Sequence, residues 1–198
     1  MNSASIAHRE TITTRYEDPV DVIWQNAALQ MGMHIERSSE VFAAWDGKGT
    51  LQIGTPETLD PDDCLAQMIL HESCHALVEG PDAFGQPDWG IDIGDPKQRV
   101  REHACLRLQA AITQPFGLRQ FFAATTTYRT YYDHLPQDPL QAGDDPAIEI
   151  ARGGWERAQH GPWSKIINEA LTSTQIVAAA VREIASPDSI WSTTADIQ

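Results

Sequence analysis

The spacing of apolar residues predicts a chain built mainly of helices. In six segments apolar side chains recur three or four positions apart, as one buried helix face requires. These segments are residues 19 to 33, 60 to 80, 95 to 113, 118 to 135, 147 to 159 and 163 to 184. Asp60-Pro61 and Asp95-Pro96 each offer a capping carboxylate followed by proline, which is typical of a helix start.

One pair of short segments has a β pattern instead. The runs VFAAW (41 to 45) and TLQIG (50 to 54) flank the turn-rich residues 46 to 49, DGKG, so a β-hairpin is predicted. The expected fold class is therefore α+β and mostly helical, with a small antiparallel hairpin or sheet beside the helix at 60 to 80. We expect one domain over residues 1 to 198, with a core from about 18 to 185.

The composition of the chain indicates its cellular location and the state of its cysteines. The chain is 41% hydrophobic but has no apolar run near the roughly 18 residues of a membrane span, so no membrane segment is expected. The first residues, MNSASIAHRE, lack the basic and apolar regions of a secretory signal, which predicts a cytoplasmic location. Three cysteines do not form an even disulfide framework, and reduced thiols are expected.

The net charge of the chain indicates which classes of binding partner to expect. The formal net charge is −14, and binding to nucleic acid depends on Lys and Arg contacts with phosphates, so nucleic acid is not an expected partner. An acidic surface favours a basic peptide or protein, although it also serves solubility alone. The sequence does not predict an oligomeric state.

The most informative motif lies in the predicted helix at 60 to 80. His71 and His75 are four residues apart and share a helix face, while Glu72 lies beside them in an H-E-x-x-H pattern. Two imidazoles can hold a divalent metal ion, most typically zinc, and the glutamate can take a proton from water at that ion. Because two histidines and a glutamate without partners are costly to bury in an apolar helix, the motif predicts a metal site.

A third ligand is needed. A continuation with glycine and a third histidine is excluded, because Val78 and Pro81 occupy those positions. Glu102 on the next predicted helix is the favoured ligand, and Asp92, Asp88 and His103 are the alternatives. Glu102 can also be interpreted as a surface residue paired with a neighbouring arginine.

A group that stabilises an oxyanion is sought among tyrosines and histidines, which can donate to developing negative charge. We select Tyr131 and His103 as candidates, although an aromatic cluster at helical spacing is more often part of the core. The full set of plausible donors is Tyr128, Tyr131, Tyr132, His134 and His103.

These residues resemble two families. The helix with HESCH, followed by a helix with Glu102 in R-E-x-A, resembles the ImmA/IrrE type of gluzincin metallopeptidase. The resemblance implies a minimal zincin-like domain, zinc on His71, His75 and Glu102, Glu72 as base, and a protein substrate. The stretch HESCHALVEG, with DWG and the helix around Glu102, is also similar to the elongation factor P hydroxylase family, which implies iron and oxygen chemistry.

The leading functional prediction is zinc-dependent hydrolysis of a peptide bond in a protein or peptide. The first alternative is an Fe²⁺ hydroxylase, because two histidines and a carboxylate also serve non-heme iron enzymes. The second alternative is a zinc-binding protein without catalytic activity that acts by binding a partner.

Overall fold

A computed structural model of the chain describes residues 13–92, 95, 98–123 and 126–194. Within these residues the α-helices are α1 (Pro19–Gln30), α2 (Leu65–Glu79), α3 (Arg99–Thr113), α4 (Arg129–Asp133), α5 (Ala147–His160) and α6 (Ser164–Val181). Short 3-10 turns include Pro81–Gly85, Pro87–Gly90 and Thr126–Tyr128. None of the helices in the described ranges is long and apolar enough to cross a membrane.

The sheet has three strands in the order β1-β3-β2, where β1 is His34–Ser38, β2 is Ala43–Trp45 and β3 is Thr50–Gly54. β2 and β3 are antiparallel, which confirms the predicted hairpin. β1 pairs with β3 in parallel and was not predicted. It is mostly exposed and pairs with a segment distant in sequence, so it has no strong local pattern. The mostly helical α+β class is confirmed, with a mixed sheet instead of a purely antiparallel one.

Two predicted helix starts are wrong. α2 begins at Leu65 and not near Asp60, because the segment before it folds as a turn and Cys64 is the cap residue. The side-chain oxygen of Gln67 accepts the Cys64 N–H, which satisfies a donor that the first helical turn leaves unpaired. α3 begins at Arg99, after the N–H of Gln98 bonds the carbonyl of Asp95. Pro96 lies outside the described residues.

The predicted helix at 118 to 135 is also wrong. The described residues of this segment, 118–123 and 126–135, form turns and the short α4, and several carbonyls here accept hydrogen bonds from side chains, two of which belong to α2 and α3. Gln67 donates to the Phe121 carbonyl, and Gln109 donates to the Phe122 carbonyl. Arg119 donates to the carbonyls of Leu135 and Pro136. These bonds replace those a helix would have made.

The hydrophobic core extends from α1 to α6 around α2, the helix that carries His71, Glu72 and His75. α2 is buried along almost its whole length, because α1, α3 and α5 pack against it. Trp24 of α1 is fully buried, donates its indole N–H to Thr174 of α6 at 2.9 Å, and packs edge-on against Phe122. α2 and α3 pack directly against each other within this core, and these two helices carry HESCH and Glu102.

Two neighbouring glycines in α5 provide a test of this packing. A Cβ atom on Gly154 would lie 2.9 Å from Leu108 Cδ2 and 3.2 Å from Val78 Cγ2, whereas on Gly153 it would meet only the flexible Arg157 guanidinium at 3.4 Å. We expect Gly154→Ala to lower the free energy of unfolding by about 1–3 kcal/mol through overpacking. Gly153→Ala is the matched control and is expected to raise it by up to about 1 kcal/mol, because alanine favours a helix. Urea unfolding measures both, and equal effects would contradict the packing.

Candidate metal site

Both histidines of the motif direct a ring nitrogen to one point. The Nε2 atoms of His71 and His75 lie 3.1 Å apart, and the two rings are almost perpendicular, with centroids 4.7 Å apart. This convergence follows from the helix, since residues four positions apart lie one above the other on the same face.

α3 brings a carboxylate to the same point. Glu102 Oε1 lies 3.3 Å from His71 Nε2, and Glu102 Oε2 lies 3.2 Å from His75 Nε2. Arg101, a potential surface partner of Glu102, is instead bonded to Glu79 at 2.6 Å. Two imidazole nitrogens and a carboxylate from separate helices therefore face one another.

The proximity of these groups changes their protonation. Burial lowers the pKa of His71, but the negative charges of Glu102 and Glu72 and the bond to Gln109 outweigh it and raise the pKa to about 10. Burial raises the pKa of Glu102, but the two imidazoles lower it by a larger amount. The net result is a pKa far below the usual range of a glutamate. In the absence of another cation, a proton thus balances the carboxylate, and a metal ion at this point would displace that proton.

Cys105 forms part of a second possible ligand group. His71, His75 and Cys105 each offer one ligand atom, and these atoms lie within 4.8 Å of one another, so this group could hold a metal ion. The Cys105 sulfur, however, lies 3.6 Å from Nδ1 of His71, whereas Glu102 faces Nε2. Burial also raises the pKa of the Cys105 thiol well above its usual value, which disfavours the thiolate that metals bind.

Gln109 determines which nitrogen of His71 carries hydrogen. Its amide nitrogen donates to the Phe122 carbonyl, which leaves its oxygen to face His71 Nδ1 at 3.0 Å. An amide oxygen only accepts, so Nδ1 must donate, and neutral His71 then has its lone pair on Nε2. This is the tautomer that a metal ion at Nε2 requires.

A change at Gln109 tests this tautomer control. We expect Gln109→Leu to weaken zinc binding roughly 10- to 100-fold, as is typical when a ligating histidine loses its outer partner. Gln109→Glu retains the acceptor that faces Nδ1 but, like Gln109→Leu, loses the donor to the Phe122 carbonyl, so it is the matched control and is expected to bind zinc more tightly than Gln109→Leu. Competition with a chromophoric chelator measures both affinities, and equal affinity for the Leu variant would contradict the role of Gln109.

Glu72 lies beside the histidines in a buried position. Its carboxylate is buried and accepts a hydrogen bond from Trp89 Nε1 at 2.7 Å. Trp89 stacks on Trp45 with centroids 4.6 Å apart, which connects β2 to α2 through the turn Pro87–Gly90.

Two cavities flank the convergence point. They have volumes of about 250 and 350 Å³, and both are lined by His71, Glu102, Phe42, Met68 and Tyr128. The larger one is also lined by Glu72 and His75. The site therefore has open space on two sides, where a substrate could lie against the candidate ligands.

No family model, curated protein or solved structure matches the chain. The two family resemblances remain predictions, and the geometry of the site is the evidence that bears on its function.

The candidate oxyanion donors lie in different places. The Tyr131 hydroxyl donates to Asp145 at 2.7 Å and accepts from Arg107 at 2.6 Å. His103 stacks on the Tyr131 ring at 3.7 Å, and burial lowers its pKa. Both belong to an aromatic and ionic cluster between α3, which carries His103 and Arg107, and α4, which carries Tyr131. The catalytic roles of Tyr131 and His103 remain predictions. Tyr128, another of the candidate donors, lines both cavities.

The remaining donors and alternative ligands have other contacts. Tyr132 is buried and bonds the Arg119 carbonyl, and exposed His134 bonds the Thr130 carbonyl. Asp88 lines the larger cavity, but its Oδ1 accepts the Trp45 N–H at 3.1 Å, and Asp92 is exposed.

Sequence reasoning did not assign roles to Gln109 and Trp89. Gln109 shares a helix face with Glu102, seven residues along α3, so helical periodicity could have indicated it. Trp89 lies in a loop whose shape depends on unusual backbone angles, and no sequence periodicity indicates its contact with Glu72.

Proposed function

We propose that this chain is a zinc-dependent metallopeptidase acting on a peptide or protein in the cytoplasm. The observation that carries the proposal is the meeting of His71 Nε2, His75 Nε2 and the Glu102 carboxylate within 3.1 to 3.3 Å, with Glu72 next to His71. The net charge of −14 favours a basic substrate.

The donor chemistry supports zinc at this point. Zinc commonly binds imidazole nitrogen and carboxylate oxygen, and catalytic zinc sites typically have three protein ligands and an open position. The bond to Gln109 leaves the His71 Nε2 lone pair free for an ion. The opposing atoms need a shared cation, whether a proton or a metal ion, since lone pairs and a carboxylate would otherwise repel each other.

Each residue has a defined part in the proposed reaction. Bound zinc would act as a Lewis acid and lower the pKa of water. Glu72 lines the larger cavity and takes the proton from the attacking water. We propose Tyr128 as the donor to the oxyanion, and its lining of the cavities on both sides of the ligands supports this choice.

A peptide library tests the proposal. Purified protein is analysed for metal, loaded with one equivalent of zinc, and incubated with a diverse peptide library in water enriched in ¹⁸O. We expect new peptide termini that carry ¹⁸O and that disappear with a chelator, as read by mass spectrometry. Zinc-loaded protein that leaves the library intact would contradict the proposal.

An Fe²⁺ hydroxylase is the second candidate, because two histidines and one carboxylate are also the ligands of many non-heme iron oxygenases. The same library separates the two chemistries. Under this alternative, iron-loaded protein supplied with O₂ and a two-electron reductant inserts one oxygen atom into a peptide C–H bond and releases the other as water, without breaking the backbone, and zinc-loaded protein is inactive.

A further inference from the structure

The turn Pro87–Gly90 adopts an unusual backbone conformation directly beside Glu72. Asp88 has φ of 47° and Trp89 has φ of 58°, both in the left-handed region that residues with side chains rarely adopt. Such strain persists only where surrounding contacts enforce it, and it is concentrated at functional sites.

The contacts that enforce the turn come from the sheet. Asp88 Oδ1 accepts the backbone N–H of Trp45 at 3.1 Å, and the Trp89 ring stacks on the Trp45 ring with an angle of 3°. Trp45 is itself fixed, because its indole N–H donates to the Phe84 carbonyl at 2.9 Å. The Trp89 ring is only 3% exposed and has little freedom to move.

The N–H of this buried ring faces the carboxylate of Glu72. Trp89 Nε1 donates to Glu72 Oε2 at 2.7 Å, a bond between a donor-only ring and an acceptor-only carboxylate. We propose that Trp89 is a positioning residue, which holds one oxygen of Glu72 so that the carboxylate keeps a fixed orientation beside the two histidines. The catalytic consequence of this role rests on the proposed function.

The alternative is a structural role for the same bond. A buried indole N–H needs an acceptor, and Glu72 could simply supply it. Packing on Trp45 alone would not require an N–H, however, and phenylalanine retains an aromatic ring that can stack there, although it fills less of the space. Loss of the N–H should therefore affect Glu72 and leave the fold in place.

The first test detects the bond without any reaction. In protein with ¹⁵N-labelled indoles, Glu72→Ala is expected to shift the Trp89 N–H signal and speed its exchange with water. The indole of Trp24, bonded to Thr174, is the internal control and should not change. An unchanged Trp89 signal would overturn the proposal.

The second test measures the consequence. We expect Trp89→Phe to keep its zinc content and KM within twofold while kcat falls roughly 10- to 100-fold. In a Glu72→Gln background the same change should have no further effect, because Trp89 acts through Glu72. Trp24→Phe removes another buried indole N–H, which donates to Thr174 and not to Glu72, and should leave kcat unaltered.

The outcomes separate the two proposals. An unaltered kcat in an active Trp89→Phe protein, or a further loss in the Glu72→Gln background, would overturn the positioning role. If the unchanged protein binds no zinc or cleaves no peptide, the proposed function fails, and the indole signal alone decides whether Trp89 holds Glu72.

Discussion

Replacing Glu102 by alanine is expected to remove most of the bound zinc from the protein. The carboxylate faces both histidine Nε2 atoms at 3.2 and 3.3 Å, so its loss leaves two ligands where three had converged. We expect the affinity to fall by more than the roughly 10- to 100-fold typical of an outer-sphere change. Elemental analysis after dialysis, with competition against a chromophoric chelator, measures the loss.

Cys105→Ala is the matched comparison, because it removes the thiol of the other possible ligand group. The sulfur lies beside His71 Nδ1, the nitrogen that Gln109 already engages, so we expect zinc binding to persist. Asp92→Ala should also retain the metal, because Asp92 is exposed. Retention of zinc in Glu102→Ala together with loss in Cys105→Ala would assign the ion to the sulfur side of His71.

The helix periodicity of the sequence was sufficient to bring the histidines together. Residues 71 and 75 are separated by one helical turn, and α2 contains both although it begins later than predicted, so their convergence is a local property. The position of Glu102 could not be predicted from local periodicity, because its approach to the histidines depends on how α3 packs against α2. Its selection from the sequence relied on ligand chemistry; the structure places its carboxylate beside both histidines, and its role as a ligand remains a prediction.

The parts that could not be predicted depend on contacts between distant segments. Residues 118 to 135 have helical spacing, yet the amides of Gln67 and Gln109 hold the carbonyls of Phe121 and Phe122 in a turn. Tertiary hydrogen bonds thus override local propensity. The same contacts fix Gln109 against His71, so the element that was predicted incorrectly helps to build the site.

The turn that carries Trp89 illustrates a second limit of sequence reasoning. The string PDWG predicts a turn but not the left-handed angles at Asp88 and Trp89. Those angles exist because β2 supplies a backbone N–H to Asp88 and a stacking ring to Trp89. The conformation of this loop therefore depends on contacts with β2 and α2, which the local sequence does not encode.

Glu72→Gln is expected to abolish most hydrolysis while leaving the metal bound. Glutamine has the same shape, and its side-chain oxygen can still accept the Trp89 N–H that bonds Glu72 Oε2. It cannot take a proton from water, however, and loss of a general base typically costs about 10²- to 10⁴-fold in rate. The measurement is kcat on a peptide that the zinc-loaded protein cleaves, with zinc content determined on the same sample.

Glu79→Gln on the same helix provides the control for loss of one negative charge. Glu79 is bonded to Arg101 and does not line the two cavities, so we expect its kcat to change less than tenfold. Full activity in Glu72→Gln with zinc present would mean that another group accepts the proton. Loss of both zinc and activity would instead mean that Glu72 supports the ligand geometry, since a base acts on water and is not needed to hold the ion.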